Sequence, residues 1–229
     1  MKFIHFFSKS EYAGLGEPQP VKKFIPEWYR KSETTFKDKT TGEEVAGLKR
    51  CVPFLDAMMS GYVLTLPMDL FVSENKDGTL NLRWNSEDAF KDFISERPHE
   101  SGSLMPRPAG HHDNHVAWKG AWGFKTPRGW SLLVVHPLNR WDLPFTTTSG
   151  IIDSDKYSTS GNIPFFVKKG FVGMIPKGTP IAQLIPIKRA KWTSVINKAF
   201  LFLEDVQGSI VRSPGHSYKK DFWIRKDYK

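Results

Sequence analysis

The run "GHHDNH" sets His111, His112, Asp113 and His115 almost side by side. A His-x-Asp pair, here His111 and Asp113, opens the facial triad of non-heme iron oxygenases, and a distant second histidine completes that ligand set. His136 and His216 both follow in the chain, with Arg225 beyond them, which is the order such a site would use. Four close polar residues after Pro108-Ala109-Gly110 are more often an exposed loop, and that is the preferred reading. A second group able to do chemistry lies in "SGIIDSDKY", where Asp153 and Asp155 follow an aliphatic run and precede Tyr157. Carboxylates so placed belong either to a catalytic loop with a strand behind it or to a turn between strands. No Walker loop, nucleophile elbow, zinc-protease helix or dinucleotide fingerprint is present. Cys51 is the single cysteine, so an intrachain disulfide framework and a cysteine-based zinc site are excluded. Between Arg50 and the apolar Val52-Pro53-Phe54-Leu55 it reads as a buried small hydrophobe rather than a nucleophile.

The elements that must position these groups are mostly strands. Residues 3–7 read as a first strand, 54–59 as a short helix stopped by Gly61, and 62–66 as another strand. Asp77-Gly78 supplies a turn pair for a hairpin near 70–84, with Leu80, Leu82 and Trp84 on its buried face. Residues 86–114 are polar and rich in Pro and His, and read mostly as loop. From 116 to 189 the chain is dense in short strand-like runs, "LLVVH", "FFVKK", "VGMI" and "IAQLIPI", joined by Gly/Pro turns without helical spacers. That pattern predicts a mainly β fold, a β-clip or distorted barrel of short strands, rather than a βαβ sheet. Over 191–211, Val195, Ala199, Phe202, Leu203 and Val206 recur at helical spacing, which predicts one C-terminal amphipathic helix. The tail "SYKKDFWIRKDYK" mixes basic and aromatic residues and reads as a packed or partner-contacting segment. We expect a single domain over 1–229: an irregular N-terminal part (1–115), a β core (116–189), and a helix with its tail (190–229).

The chain has 229 residues, with 33 Lys and Arg against 24 Asp and Glu, a formal charge of +9. Such a charge permits attraction to nucleic acid, an anionic membrane or an acidic protein surface, and equally an evenly basic surface. Eight Trp and seventeen Phe supply the contact area of a folded core. The start, "MKFIHFFSKS", is too short in apolar residues for a signal peptide, and no run approaches membrane-spanning length. The expected location is the host cytoplasm or a virion, without secretion through a signal peptide and without membrane contact.

"GIIDSDKY" and "KGTPIAQLIPIKR" resemble the late part of the dUTP pyrophosphatase and dCTP deaminase superfamily, over the segment from "HPLNRWDLPF" to Arg189. The resemblance implies a β-clip barrel, commonly a trimer with sites between subunits. Carried over, it implies that Asp153 orients the attacking water, Tyr157 lies beneath sugar and base, and Gln183 reaches a phosphate. Tyr157 stands one residue late, Asn139-Arg140-Trp141-Asp142 replaces the Arg-Ser-Gly loop, and the Ala-Gly-x-Asp-Leu and Gly-Phe-Gly-Ser-Thr motifs do not occur. Those motifs grip phosphate, so their loss removes most of the electrostatic stabilisation the reaction requires. Over most of its length the chain is similar to an uncharacterised family from bacteria and marine tailed phages. It shares "IPEWYR", "RCVPFLDAMMSGY", "KTPRGWSLLVVHPLNRWDLPF", "SGIIDSD" and "KGTPIAQLIPIKR" with that family, which points to a phage-type source.

The leading expectation is a non-catalytic phage-type protein, self-associating or ligand-binding and virion-associated. Its partners would be further copies of itself, other phage proteins, or a nucleotide or nucleic acid. The first alternative is a nucleotide hydrolase using Asp153 with Asn139 and Arg140 as polar partners, and Tyr157 and Gln183 as ligand contacts. The second is the iron oxygenase through His111 and Asp113. No cofactor is expected, with Mg or Fe entering only under the enzyme alternatives.

Overall fold

A computed structural model describes residues 2–85, 93–97, 104–196 and 218–229. In chain order its elements are β1 (His5–Ser8), β2 (Gln19–Pro20), α1 (Glu27–Lys31), β3 (Thr35–Lys37), β4 (Glu44–Ala46), α2 (Val52–Met59), β5 (Tyr62–Thr65), β6 (Leu70–Glu74), β7 (Leu80–Arg83), β8 (Ile94–Glu96), β9 (Val116–Lys119), β10 (Trp122–Lys125), β11 (Trp130–Val135), β12 (Phe145–Thr147), β13 (Gly150–Ile152), β14 (Asn162–Val167), β15 (Gly173–Ile175) and β16 (Pro180–Lys188). The protein is mainly β, and its strands fall into separate sheets; among the described residues no sheet closes into a barrel. The chain divides into two compact units, residues 1–24 with 61–189, and residues 25–60 with 190–229.

The first unit carries a five-stranded antiparallel sheet in the order β13-β11-β16-β5-β2 and a four-stranded one in the order β12-β14-β9-β8. β16 lies between β11 and β5 and is buried from Pro180 to Leu184, as its apolar run requires of a central strand. Both sheets feed one apolar cluster, with Leu132, Val134 and Leu184 from the first and Trp118, Phe145, Phe165 and Val167 from the second. Trp118 stacks on Phe165 with ring centroids 3.5 Å apart and meets Phe145 edge-on at 5.2 Å. Its indole N–H donates to Thr147 Oγ1 at 3.2 Å, and that hydroxyl donates to the Ile181 carbonyl at 2.6 Å. The polar end of the ring is therefore satisfied inside the core, which makes so large a side chain stabilising there.

The hairpin near 70–84 forms as β6 and β7, and Leu80, Leu82 and Trp84 pack against the core. Its connection is not a two-residue turn: β6 ends at Glu74 and β7 begins at Leu80. Asn75 N–H donates to the Thr79 carbonyl at 2.8 Å, and Gly78 alone in the loop has positive φ, 80°. The Asp77 carboxylate takes the Thr79 N–H and hydroxyl, which favours the longer loop. Part of the segment read as loop over 86–114 is strand, because β8 pairs with β9.

In the second unit α1 and α2 both start at proline signals, Pro26 at the N-cap of α1 and Pro53 in the first turn of α2. The Phe54 ring stacks on Tyr29 at 6.0 Å. The tail packs: Trp223 Nε1–H and Lys226 Nζ both donate to Asp56 Oδ2, at 2.8 and 2.6 Å. Cys51 is exposed, correcting its expected burial, since it is the N-cap of α2 and its side chain stays outside the helical face. Of the amphipathic helix expected over 191–211, residues 191–196 are described and not helical, with Trp192, Val195 and Ile196 exposed. Ala199, Phe202, Leu203 and Val206 lie outside the described residues. Among the described residues, no helix is long and apolar enough to cross a membrane.

Candidate functional site

The chain leaves β13 at Ile152 and turns at once, with Lys156 and Tyr157 N–H groups donating to the Asp153 carbonyl at 2.9 Å each. Ser154 is fully buried and shares a 2.8 Å hydrogen bond with Thr126, whose hydroxyl also reaches the Trp130 carbonyl. Asp153 Oδ1 accepts from the Ser131 hydroxyl at 2.6 Å and from Arg189 Nη1 at 3.1 Å. Asp155 Oδ2 accepts the Gly129 N–H at 2.8 Å, and the Arg189 guanidinium closes on both of its oxygens. The side chain of Asp155 is only 3 % exposed. Arg189 hydrogen bonding and the Gly129 N–H hold its pKa down at about 2. The Ser131 hydroxyl, followed by Arg189, lowers that of Asp153. A carboxylate so stabilised in its charged form is a weak base, whereas a general base works best near neutral pKa. The three side chains fasten the ends of β11, β13 and β16 together.

The residues marked as partners of Asp153 occupy a different network. Asn139 sits in a tight turn at φ 61°, a left-handed conformation that Asn tolerates better than most residues. Arg140 donates two-pronged to Asp142, at 2.9 Å from both Nε and Nη2, and reaches the Phe24 carbonyl at 3.3 Å. Arg140 and Asp153 share no partner. Gln183 is fully buried in β16 and its Oε1 accepts the Leu138 N–H at 2.8 Å, so it braces the same turn from below. His136 completes the brace. Its Nε2 lies 3.0 Å from the Arg140 carbonyl and its Nδ1 accepts the Thr147 N–H at 3.3 Å, which assigns the neutral ring with the proton on Nε2. Burial lowers its pKa in the same direction. Tyr157 is 67 % exposed.

The "GHHDNH" loop lies along β14, where the His112 N–H donates to the Val167 carbonyl at 2.8 Å. Both nitrogens of His111 are engaged, Nδ1 with the Ala109 carbonyl at 3.0 Å and Nε2 with the Thr146 hydroxyl at 2.9 Å. Asp113 pairs instead with Arg107 at 3.2 Å and Lys169 at 3.5 Å. Among the described residues no three His, Cys, Asp or Glu side chains are gathered as a metal ion would need. His216 lies outside them. His112 is 4 % exposed, and its Nε2 stands 3.0 Å from Glu74 Oε1 without an aligned hydrogen bond. Both residues line an open cleft of about 590 Å³ shared with Asp77 and Lys169.

A second open cleft, of about 640 Å³, adjoins the Asp155 turn. β1 pairs antiparallel with β10, His5 opposite Lys125, and this register carries the start of the chain to the 126–129 turn. Lys2, Lys125, Arg128 and Lys156 line the cleft with Phe3 and Asp155. Lys2 Nζ lies 4.4 Å from the centre of the Trp130 ring. Phe3 is 61 % exposed. The one carboxylate there is already held by Arg189. Among the described residues no carboxylate forms an ion pair with Lys2, Lys125, Arg128 or Lys156. The cleft is therefore a net positive surface, four cations against one carboxylate, the kind that attracts anions.

No protein-family model matches the chain, and no curated protein matches it. Its function is argued from its own geometry. The cleft cations give no single signal in the sequence because they come from three separate stretches of it, residue 2, residues 125–128 and residue 156, and only the fold gathers them. The one local signal is the triplet of turn and charge in "KTPRGW", where Lys125 and Arg128 flank Thr126-Pro127.

Proposed function

We propose that the chain is a non-catalytic protein of phage type that binds an anionic ligand in the cleft lined by Lys2, Lys125, Arg128 and Lys156. The observation that carries this reading is the contrast between two sets of polar groups. Those that could have formed a catalytic set, Asp153, Arg140 and His111, are each tied into separate bracing networks. Among the described residues the cleft cations form no ion pair within 4.0 Å and line a cleft open to solvent-borne anions. The phage-type source is supported by the shared runs "RCVPFLDAMMSGY" and "KTPRGWSLLVVHPLNRWDLPF".

The purified protein is to be incubated with deoxynucleoside triphosphates and Mg²⁺, with pyrophosphate and phosphate release followed, and separately titrated with polyphosphate. The expected result is no turnover, together with salt-sensitive polyphosphate binding that Lys125→Gln/Arg128→Gln weakens. Rapid turnover abolished by Asp153→Asn in a protein that stays folded would instead establish the hydrolase reading.

A further inference from the structure

We propose that the basic cleft binds single-stranded nucleic acid, with its cations tracking the phosphodiester backbone and the Phe3 ring stacking on an unpaired base. This rests on the anion-binding reading of the same cleft and adds the kind of anion.

Three observations select this ligand over other anions. The cleft is open to solvent, not an enclosed pocket, so it suits a chain lying across it rather than a small molecule buried on all sides. Four cations face one carboxylate, which Arg189 holds together with Asp153, so the cations outnumber the acidic charge that a run of phosphates would meet. A large aromatic ring stands in the cleft with most of its surface exposed, a poor arrangement for stability and a good one for stacking. Duplex DNA keeps its base faces stacked within the helix, and among the described residues no helix lines this cleft to enter a groove. Free polyphosphate would use the cations and leave Phe3 idle. Unpaired bases on a charged backbone use both. Lys2 Nζ lies 4.4 Å from the centre of the Trp130 ring, a cation–π contact that keeps this ammonium at the cleft instead of drifting in solvent.

The test compares three fluorescent probes by anisotropy over a salt series from about 50 to 200 mM: an oligothymidylate of about 12 nucleotides, a duplex of equal length, and labelled polyphosphate. We expect the single strand to bind most tightly. Its log K should fall with log salt at a slope of about 3, since each phosphate neutralised on a single strand contributes about 0.7 and four cations are available. Lys125→Gln/Arg128→Gln should roughly halve that slope, by the same count. Phe3→Ala should cost about ten-fold in affinity for the single strand at an unchanged slope, because stacking releases no counterions. The same Phe3→Ala variant should bind polyphosphate as the parent does. Far-UV circular dichroism and Tm of each variant confirm that the exposed substitutions leave the fold intact, and Lys37→Gln/Lys39→Gln, on the β3–β4 hairpin, serves as a charge-matched control without effect.

Equal binding of all three probes with a silent Phe3→Ala would overturn the nucleic-acid proposal and leave the anion-binding reading standing. Preference for the duplex would overturn it likewise. Binding of none of the probes would remove both.

Discussion

Asp155 is a carboxyl group whose neighbourhood holds it in the charged form. Its folded-state pKa of about 2 lies below the ordinary carboxylate value of 3.8, because Arg189 and the Gly129 N–H both favour the charged form. The stabilisation is therefore complete above the unfolded value and is lost as pH falls from about 4 through about 2. Asp155→Asn is expected to lower Tm at neutral pH, because it leaves the Arg189 guanidinium half-satisfied, and to flatten the acid limb of the Tm profile. An unchanged acid limb in the variant would show that Arg189 does not couple to folding through this residue. That the two aspartates hold a turn was readable from their place after an aliphatic run and before Tyr157. Their cation was not readable as such. Arg189 ends the quoted run "KGTPIAQLIPIKR", and it meets Asp155 only because β11 pairs with β13 on one side and β16 on the other. Gln183 is the opposite case: the family resemblance assigns it to a phosphate, whereas the central position of β16 buries it and turns its amide oxygen to Leu138.

Among the elements, β16 depends on a close approach by the chain that follows α2. Gly61 has φ 81°, and a Cβ at this position would collide with the Leu184 carbonyl of β16. Gly61→Ala combines a left-handed backbone with a clash against main chain that cannot rotate away. It should cost about 2 kcal/mol or more, read as a drop in the urea midpoint with unchanged slope. A shift within error would mean that the β5–β16 register relaxes to admit the methyl group. The sequence marked Gly61 correctly as a helix stop, yet a stop signal carries no information about which strand passes beside it. Element types were legible where apolar periodicity was strong, as in β11, β14 and β16. The β6–β7 connection was not, because Asp77 uses its side chain to close a five-residue loop in a way that the dipeptide Asp-Gly alone does not reveal. Cys51 misled through its neighbours: Val52 and Phe54 point to a core, but the residue that caps a helix start faces away from it.

At the level of the whole molecule, a charge that looks evenly spread along the chain is not evenly spread in space. Lys2, the pair Lys125 and Arg128, and Lys156 come from three distant stretches and share one cleft, while Arg140, Lys169 and Arg189 are paired with carboxylates. Composition supplies the +9, and the fold gathers four of its cations around one cleft.

The same topology sets an order of events. β5 finds its partner in β16, on the far side of nearly the whole first unit, and β11 waits for the same strand from the other side. Closing such distant contacts is slow, and refolding after dilution from denaturant is expected on a timescale of milliseconds to seconds, followed by stopped-flow tryptophan fluorescence. Completion within microseconds would show that local hairpins, not β16, carry the rate-limiting step. On the ribosome the consequence is sharper. Until residues 180–188 have emerged, β5 and β11 each present an unpaired strand edge rich in Val and Leu, the kind of surface that holding chaperones cover, and the gap closes only when the last described strand slides between them.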